Sequence, residues 1–316
     1  MEDNAHFSDF SHQKPIIQLF ISICVIIIAG TLLFYLSLLA EALFLNSDIS
    51  EMLSVPSVNA SAKEVSVLKY IQVTQQIAMF IIPAIFLGYI FKEGKVSFLK
   101  LDRTPESGNI IIVILLTIMI IPLNSYTGFL NSKLAFPDWL SGIEHWIRTK
   151  EDTATTLTGL LIKTNGLNDL VINIFVLAII PAIAEELVFR GILQQILCKL
   201  FRSNHAGIWI TSILFSAVHM QFFGFIPRLI LGLCFGYLFF WTSNLWLPIV
   251  AHFINNLVPV VMSWFFNWNE ISEKASDLAG KKILLPLIPT LISAVCLYYF
   301  WTEYRRRADN NIDKIP

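Results

Sequence analysis

Residues 179–191 read Ile-Ile-Pro-Ala-Ile-Ala-Glu-Glu-Leu-Val-Phe-Arg-Gly, and they lie inside an apolar run spanning 168–198. A helix needs about 20 apolar residues to cross the hydrocarbon core of a bilayer, so this run is long enough. Three ionisable side chains near its middle then need a reason, because each costs roughly 2.5–3.5 kcal/mol at the centre of a membrane helix. Glu186 and Arg190 are four residues apart, share a helix face and can pair. Glu185 is turned about 100° from Glu186, which leaves its carboxylate available for another task. A structural Glu–Arg lock with a spare acid, of the kind found in transporters, accounts for the spacing equally well.

Reading outward, the 316 residues are 55% hydrophobic and 14% charged, with a mean hydropathy of +0.66. A soluble domain carries about 25% charged residues, so this chain lacks the charge to cover a water-facing surface. Apolar stretches near 16–44, 66–91, 109–130, 168–198, 205–222, 225–242, 245–265 and 282–302 are candidate spans. The expected fold class is therefore all-α, a polytopic membrane helix bundle of about eight transmembrane helices. The fifth and sixth stretches are short and parted only by the region Gly224 to Pro227.

Basic residues group between the second and third stretches (Lys92, Lys95, Lys100, Arg103), after the fourth (Lys199, Arg202) and after the last (Arg305, Arg306, Arg307). With both termini cytoplasmic, all three groups fall inside, as the positive-inside rule requires. The acid-rich loops at 46–64 and 267–280 then lie outside. The first run, Pro15 to Leu45, is about twice the length of a signal-peptide core and reads as an uncleaved helix. Without an evident targeting peptide, the expected location is a bacterial inner membrane, with membrane lipid as a partner.

Between the third and fourth stretches, Trp139, Ile143, Trp146 and Ile147 recur at helical spacing among Glu144, His145, Arg148 and Lys150. This pattern predicts an amphipathic interfacial helix near 135–165; an ordinary loop helix is the alternative. Cys24, Cys198, Cys234 and Cys296 all sit in apolar runs without CxxC spacing and read as small hydrophobes. A net charge of -1 and the absence of a basic tract with interleaved aromatics argue against nucleic-acid binding.

Two further polar clusters interrupt the apolar second half. Phe215-Ser-Ala-Val-His219 closes the fifth stretch, and His252-Phe-Ile-Asn-Asn256 lies in the seventh, with His252 and Asn256 on one face. Either histidine alone is accounted for by packing. Three clusters on three spans point instead to a common wet cavity. Neither HExxH nor a GxSxG elbow is present. Glu, His, His and Asn suit a carboxylate general base with His or Asn donors for an oxyanion. Glu185, His219 and His252 also offer the donor types for one divalent metal ion such as zinc.

In order and spacing, Glu185-Glu186-Leu-Val-Phe-Arg190, Phe215-Ser-Ala-Val-His219 and His252-Phe-Ile-Asn-Asn256 resemble the EExxxR, FxxxH and HxxxN marks of the CAAX protease and bacteriocin-processing family. That group of intramembrane proteases includes the type II CAAX prenyl endopeptidases. Pro227-Arg-Leu-Ile-Leu-Gly232, Gly236-Tyr-Leu and Trp246-Leu-Pro-Ile-Val-Ala-His252 are similar to it as well, so the resemblance covers 165–265.

The resemblance implies peptide-bond hydrolysis on a membrane-associated protein or peptide. It makes Glu185 the base that activates water, His219 a second member of the site, and His252 with Asn256 the oxyanion partners. Glu186 is partly catalytic and Arg190 supports it. Both metal-assisted and metal-free versions are compatible with the family. The domains expected are an N-terminal scaffold with the interfacial helix (1–164), the catalytic helices (165–265), and a last loop, helix and tail (266–316). A non-catalytic scaffold of bacteriocin-immunity type, or a transporter or proton relay, would use the same residues differently. Gly232 and Gly236 form GxxxG, expected to let a neighbouring helix approach closely. Arg228 is expected either to snorkel to headgroups or to contact a substrate carboxylate.

Overall fold

The computed structural model describes residues 10–45, 49, 60–92, 97–134, 136–164, 166–266 and 286–312. Among these residues every regular element is helical. Nine helices organise the described residues. They are α1 (Pro15–Leu43), α2 (Ala62–Ile90) and α3 (Ser107–Ser132), α4 (Ser141–Ile162), α5 (Leu167–Phe201), α6 (Asn204–Ala217), α7 (Phe225–Thr242) and α8 (Trp246–Phe265), and α9 (Leu287–Ile312). Six of them (α1, α2, α3, α5, α7 and α8) are long and apolar enough to cross a membrane, and the chain is an integral membrane protein.

The other two expected spans are not among these six. The stretch 205–222 yields a helix of only 14 residues, about 21 Å long at the usual rise, short of the roughly 30 Å hydrocarbon core. The chain reverses after α6, with Met220 at φ 52°. The stretch 282–302 begins outside the described residues; the part that is described forms the start of α9, and Glu303, Arg305, Arg306 and Arg307 follow it. The acid-rich segment 267–280, most of 46–64, and Lys95 fall outside the described residues.

Helix α5 is the axis. In its most apolar window 61% of the residues are buried, against 17% for α1. One core packs Leu187, Val188, Ile192 and Ile196 of α5 with Leu87 of α2 and with Phe91, Phe98, Leu99 and Leu245. A second joins α3, α7, α8 and α9 through Val113, Leu116, Phe235, Leu247 and Phe300. Loop 97–103 is tied to the α7–α8 turn: Asn244 Nδ2 donates to Arg103 O at 2.9 Å and Trp246 Nε1 to Leu101 O at 3.1 Å.

Helices α2 and α5 each contain a π-helical turn just before a proline, Ile77–Ile81 before Pro83 and Ile174–Ile179 before Pro181. Proline has no N–H for the preceding turn and crowds the carbonyl four residues back, so the ladder is loosened there. Helix α8 carries Pro259 inside it. These three helices with interior prolines line the cavity described below.

Helix α7 approaches α6 closely through the two glycines of its GxxxG. A Cβ on Gly232 would lie 3.0 Å from Ser212 Cβ, and one on Gly236 would lie 2.9 Å from Ile208 Cγ2. The same glycines present their carbonyls to α5. Arg190 Nη2 donates to Gly232 O at 3.0 Å, and Gln194 Nε2 donates to Gly236 O at 2.9 Å. The spacing expected to serve packing thus also holds two buried polar side chains.

The predicted amphipathic helix is present as α4, after a short turn at Asp138–Leu140. Trp139 and Trp146 are exposed, while Ile147, Leu160 and Ile162 are buried. The helix grips the α6–α7 turn: Glu151 Oε1 accepts from Phe223 N at 2.7 Å, and the Arg148 guanidinium lies 5.4 Å from the Phe223 ring. From α3, Asn131 Nδ2 donates to Phe222 O at 2.6 Å and Phe223 O at 3.0 Å.

Candidate active site

Glu185 and Glu186 are both buried on α5, and they face different partners. Glu186 Oε1 accepts from Arg190 Nη1 at 2.8 Å and from His252 Nδ1 at 2.9 Å. Arg190 is fully buried, and its guanidinium lies 4.6 Å from the Phe215 ring and 5.6 Å from the Phe235 ring. The expected Glu186–Arg190 pair is therefore present, and it extends to a third member. A charge taken out of water needs partners on every side. Here a carboxylate, a backbone carbonyl and two aromatic faces supply them.

Glu185 points away, as its place on the helix requires. Its Oε1 accepts from Gln76 Nε2 of α2 at 3.3 Å. Its Oε2 lies 3.8 Å from His219 Nε2 and 3.9 Å from His252 Nε2, and it is buried without a hydrogen-bond partner. His219 stands in the turn just past α6, and its Nδ1 meets Phe215 O at 2.8 Å. A carbonyl can only accept, so that nitrogen carries the proton. His252 Nδ1 likewise donates to the Glu186 carboxylate. In the neutral imidazoles both Nε2 lone pairs then face Glu185 Oε2. Phe215 holds the two rings apart, edge-on to each at 5.3 and 5.8 Å, and Phe235 stacks on His252 at 5.5 Å.

These groups border a cavity of about 530 Å³ lined by Glu185, His219 and Asn256. Leu177, Pro181 and Phe189 of α5 and Pro259 and Val260 of α8 form its apolar side. Asn256 Oδ1 accepts from Asn255 Nδ2 at 3.2 Å, which leaves the Asn256 amide N–H groups as donors. All the residues singled out from sequence thus gather around one place: Glu185, His219 and Asn256 at the cavity, His252 behind Glu185, and Glu186 with Arg190 behind His252.

Sequence reasoning missed Gln76, together with Gln72 and Gln75, which line the opposite wall with Thr158 of α4. The available signal was a run of amides, Gln-Val-Thr-Gln-Gln at 72–76, inside an otherwise apolar span. Arg228 is half-buried. It donates to Gln221 Oε1, and its Nη1 is buried without a hydrogen-bond partner.

The donors Glu185 Oε2, His219 Nε2 and His252 Nε2 are of the kind zinc takes. Zinc bonds of 2.0–2.2 Å would put ligand atoms about 3.4 Å apart in a tetrahedral site. The Glu185–His separations are wider, 3.8 and 3.9 Å. Among the described residues no group of three or more His, Cys, Asp or Glu is arranged to hold a metal ion. A water can also bridge these atoms, since two hydrogen bonds of about 2.8 Å meet across such a gap at a bent angle.

An all-helical membrane protein with an acid–imidazole cavity on its central helix is the class defined so far. Residues 167–258, which contain every motif quoted above, match the family described as Type II CAAX prenyl endopeptidase Rce1-like. The family resemblance carried by the three motifs is thereby shown over that segment. Two proteins of Bacillus subtilis (strain 168) are similar. "Uncharacterized protein YpbD" is 34% identical over 90 residues, 27% of this chain and 43% of that protein. "Putative membrane peptidase YdiL" is 33% identical over 89 residues, 28% of this chain and 36% of that protein. The chain thus spans less than half the length of the curated relatives it matches. No solved structure matches the chain.

Proposed function

We propose that this protein is an intramembrane endopeptidase that hydrolyses a peptide bond of a membrane-associated protein or peptide. The observation that carries the reading is the unpartnered Glu185 Oε2 facing two imidazole Nε2 atoms across 3.8 and 3.9 Å at the edge of a cavity. A gap of that width between hydrogen-bond acceptors admits a donor with two protons, and water is one.

In the proposed reaction, a water held among these atoms gives one proton to Glu185 as its oxygen attacks the scissile carbonyl carbon. The carbonyl oxygen becomes an oxyanion, toward which the Asn256 amide N–H groups donate. When the C–N bond breaks, Glu185 returns the proton to the leaving nitrogen, and the products are a carboxylic acid and an amine. His252 is held by Glu186, which Arg190 holds in place. The Nε2 atoms of His219 and His252 accept the second water hydrogen and orient the water. The family match over 167–258 and the name of YdiL support this reaction class.

The test is to map new protein N-termini in membranes of cells expressing the wild type or Glu185→Gln. Cleavage sites present with the wild type and absent with the variant would identify both the activity and its substrates. Identical terminal maps, with both proteins present in the membrane, would sink the proposal.

A further inference from the structure

The matched family segment begins at residue 167, yet one wall of the cavity comes from α2, about ninety residues upstream. Gln72, Gln75 and Gln76 line that wall, and their spacing places them on one face of the helix. Gln76 is buried, and its Nε2 reaches Glu185 Oε1 across 109 residues of sequence.

That hydrogen bond has a chemical consequence. A glutamate carboxylate rotates about a broad, nearly twofold torsion, so an unheld group offers either oxygen to its surroundings. A donor on Oε1 fixes the carboxylate plane and leaves Oε2, the oxygen without a hydrogen-bond partner, aimed at the two imidazoles. An amide is suited to this position. It donates only from nitrogen and carries no charge, so it cannot neutralise the base as Lys or Arg would.

We infer that Gln76 is a positioning residue for Glu185, and that α2 completes an active site whose recognisable motifs lie entirely on α5, on α8 and in the α6–α7 region. The inference rests on the reading of Glu185 as the base. A rival role is available to the same side chain: its Oε1 is buried without a hydrogen-bond partner and could accept an N–H of a bound peptide. That role would act on substrate affinity, whereas positioning acts on turnover.

The experiment compares wild type, Glu185→Gln, Gln76→Leu and Gln76→His, purified in lipid nanodiscs, on a fluorogenic peptide copied from a cleavage site mapped as above. Leucine keeps the bulk and removes the donor; histidine restores an N–H of similar reach. The expected result is that Gln76→Leu lowers kcat about 10- to 100-fold, the range for a hydrogen bond to a charged group. KM should stay within about twofold, thermal unfolding should be unchanged, and Gln76→His should recover most of the rate.

Wild-type kcat in Gln76→Leu, a loss confined to KM, or a loss that follows unfolding would each overturn the inference. These outcomes are distinguishable from failure of the underlying reading, in which Glu185→Gln itself would cleave at the wild-type rate.

Discussion

Among the described residues, two helices form an ion pair between a glutamate and the arginine four residues after it. On α4, Arg148 meets Glu144 at 2.6 Å with its side chain 47% exposed; on α5, Arg190 meets Glu186 at 2.8 Å with both side chains fully buried. The two pairs are nearly identical in spacing and distance, and their surroundings give them different roles. The α4 pair sits where water screens it, and Arg148 spends part of its interaction on the Phe223 ring. The α5 pair has no solvent to fall back on. Arg190 is bonded to Gly232 O and packed on Phe215 and Phe235, and the acid it holds is bonded to His252. Helical spacing alone therefore says that a pair can form, and burial decides whether the rest of the molecule depends on it.

Breaking the buried pair should have the largest effect on stability. Arg190→Met leaves the buried Glu186 carboxyl without its cation, and should cost about 3–5 kcal/mol, read as a lowered midpoint of thermal unfolding in detergent. The double variant Glu186→Leu/Arg190→Met removes both charges. It should unfold closer to the wild type than Arg190→Met does, while His252 loses its partner and cleavage stays low. A double variant no more stable than the single one would show that the aromatic and carbonyl contacts, rather than the charge pair, set the cost.

A second way to disturb the pair is from the α7 side. Gly232→Ala would place a Cβ 3.0 Å from Ser212 Cβ and 3.2 Å from its backbone Cα. The separation of α6 and α7 should cost about 1–3 kcal/mol and draw the Gly232 carbonyl off Arg190. Full wild-type stability in this variant would show that the two helices relax without penalty. The smallest effect belongs to α4. Arg148→Ala should cost about 1 kcal/mol, the sum of ~0.3–0.5 for an exposed i,i+4 ion pair and ~0.5–1 for an exposed cation–π contact. Its effect should shrink further with added salt, whereas that of Arg190→Met should not.

The comparison also explains what could be read in the sequence. Glu185, Glu186, Arg190, His219, His252 and Asn256 stand out because each interrupts an apolar run at helical or motif spacing. Their convergence follows once α5 is the axis and α6 and α8 pack beside it. Gln76 was hidden because an uncharged amide in a span looks like a packing residue, and its partner lies 109 positions away.

The short α6 was hidden for a different reason. Hydropathy runs on through Val218 to Phe225, but the backbone turns at Met220, where φ is positive, and the turn is held by Asn131 and Glu151 from two other helices. Tertiary hydrogen bonds of this sort have no signature in a local window. The expected division of the chain at 164/165 is crossed by Gln76, which hydrogen-bonds Glu185.

The central claim is that Glu185 activates water for peptide hydrolysis, and its most direct measurement is the cleavage rate of purified wild type and Glu185→Gln, each before and after exhaustive removal of divalent metals. The account expects the metal-depleted wild type to keep its rate. It expects Glu185→Gln, folded to the same unfolding midpoint, to lose about 10²- to 10⁴-fold, the usual contribution of a general base. Cleavage by Glu185→Gln at the wild-type rate, or a wild-type rate that vanishes on metal depletion and returns with zinc, would contradict it.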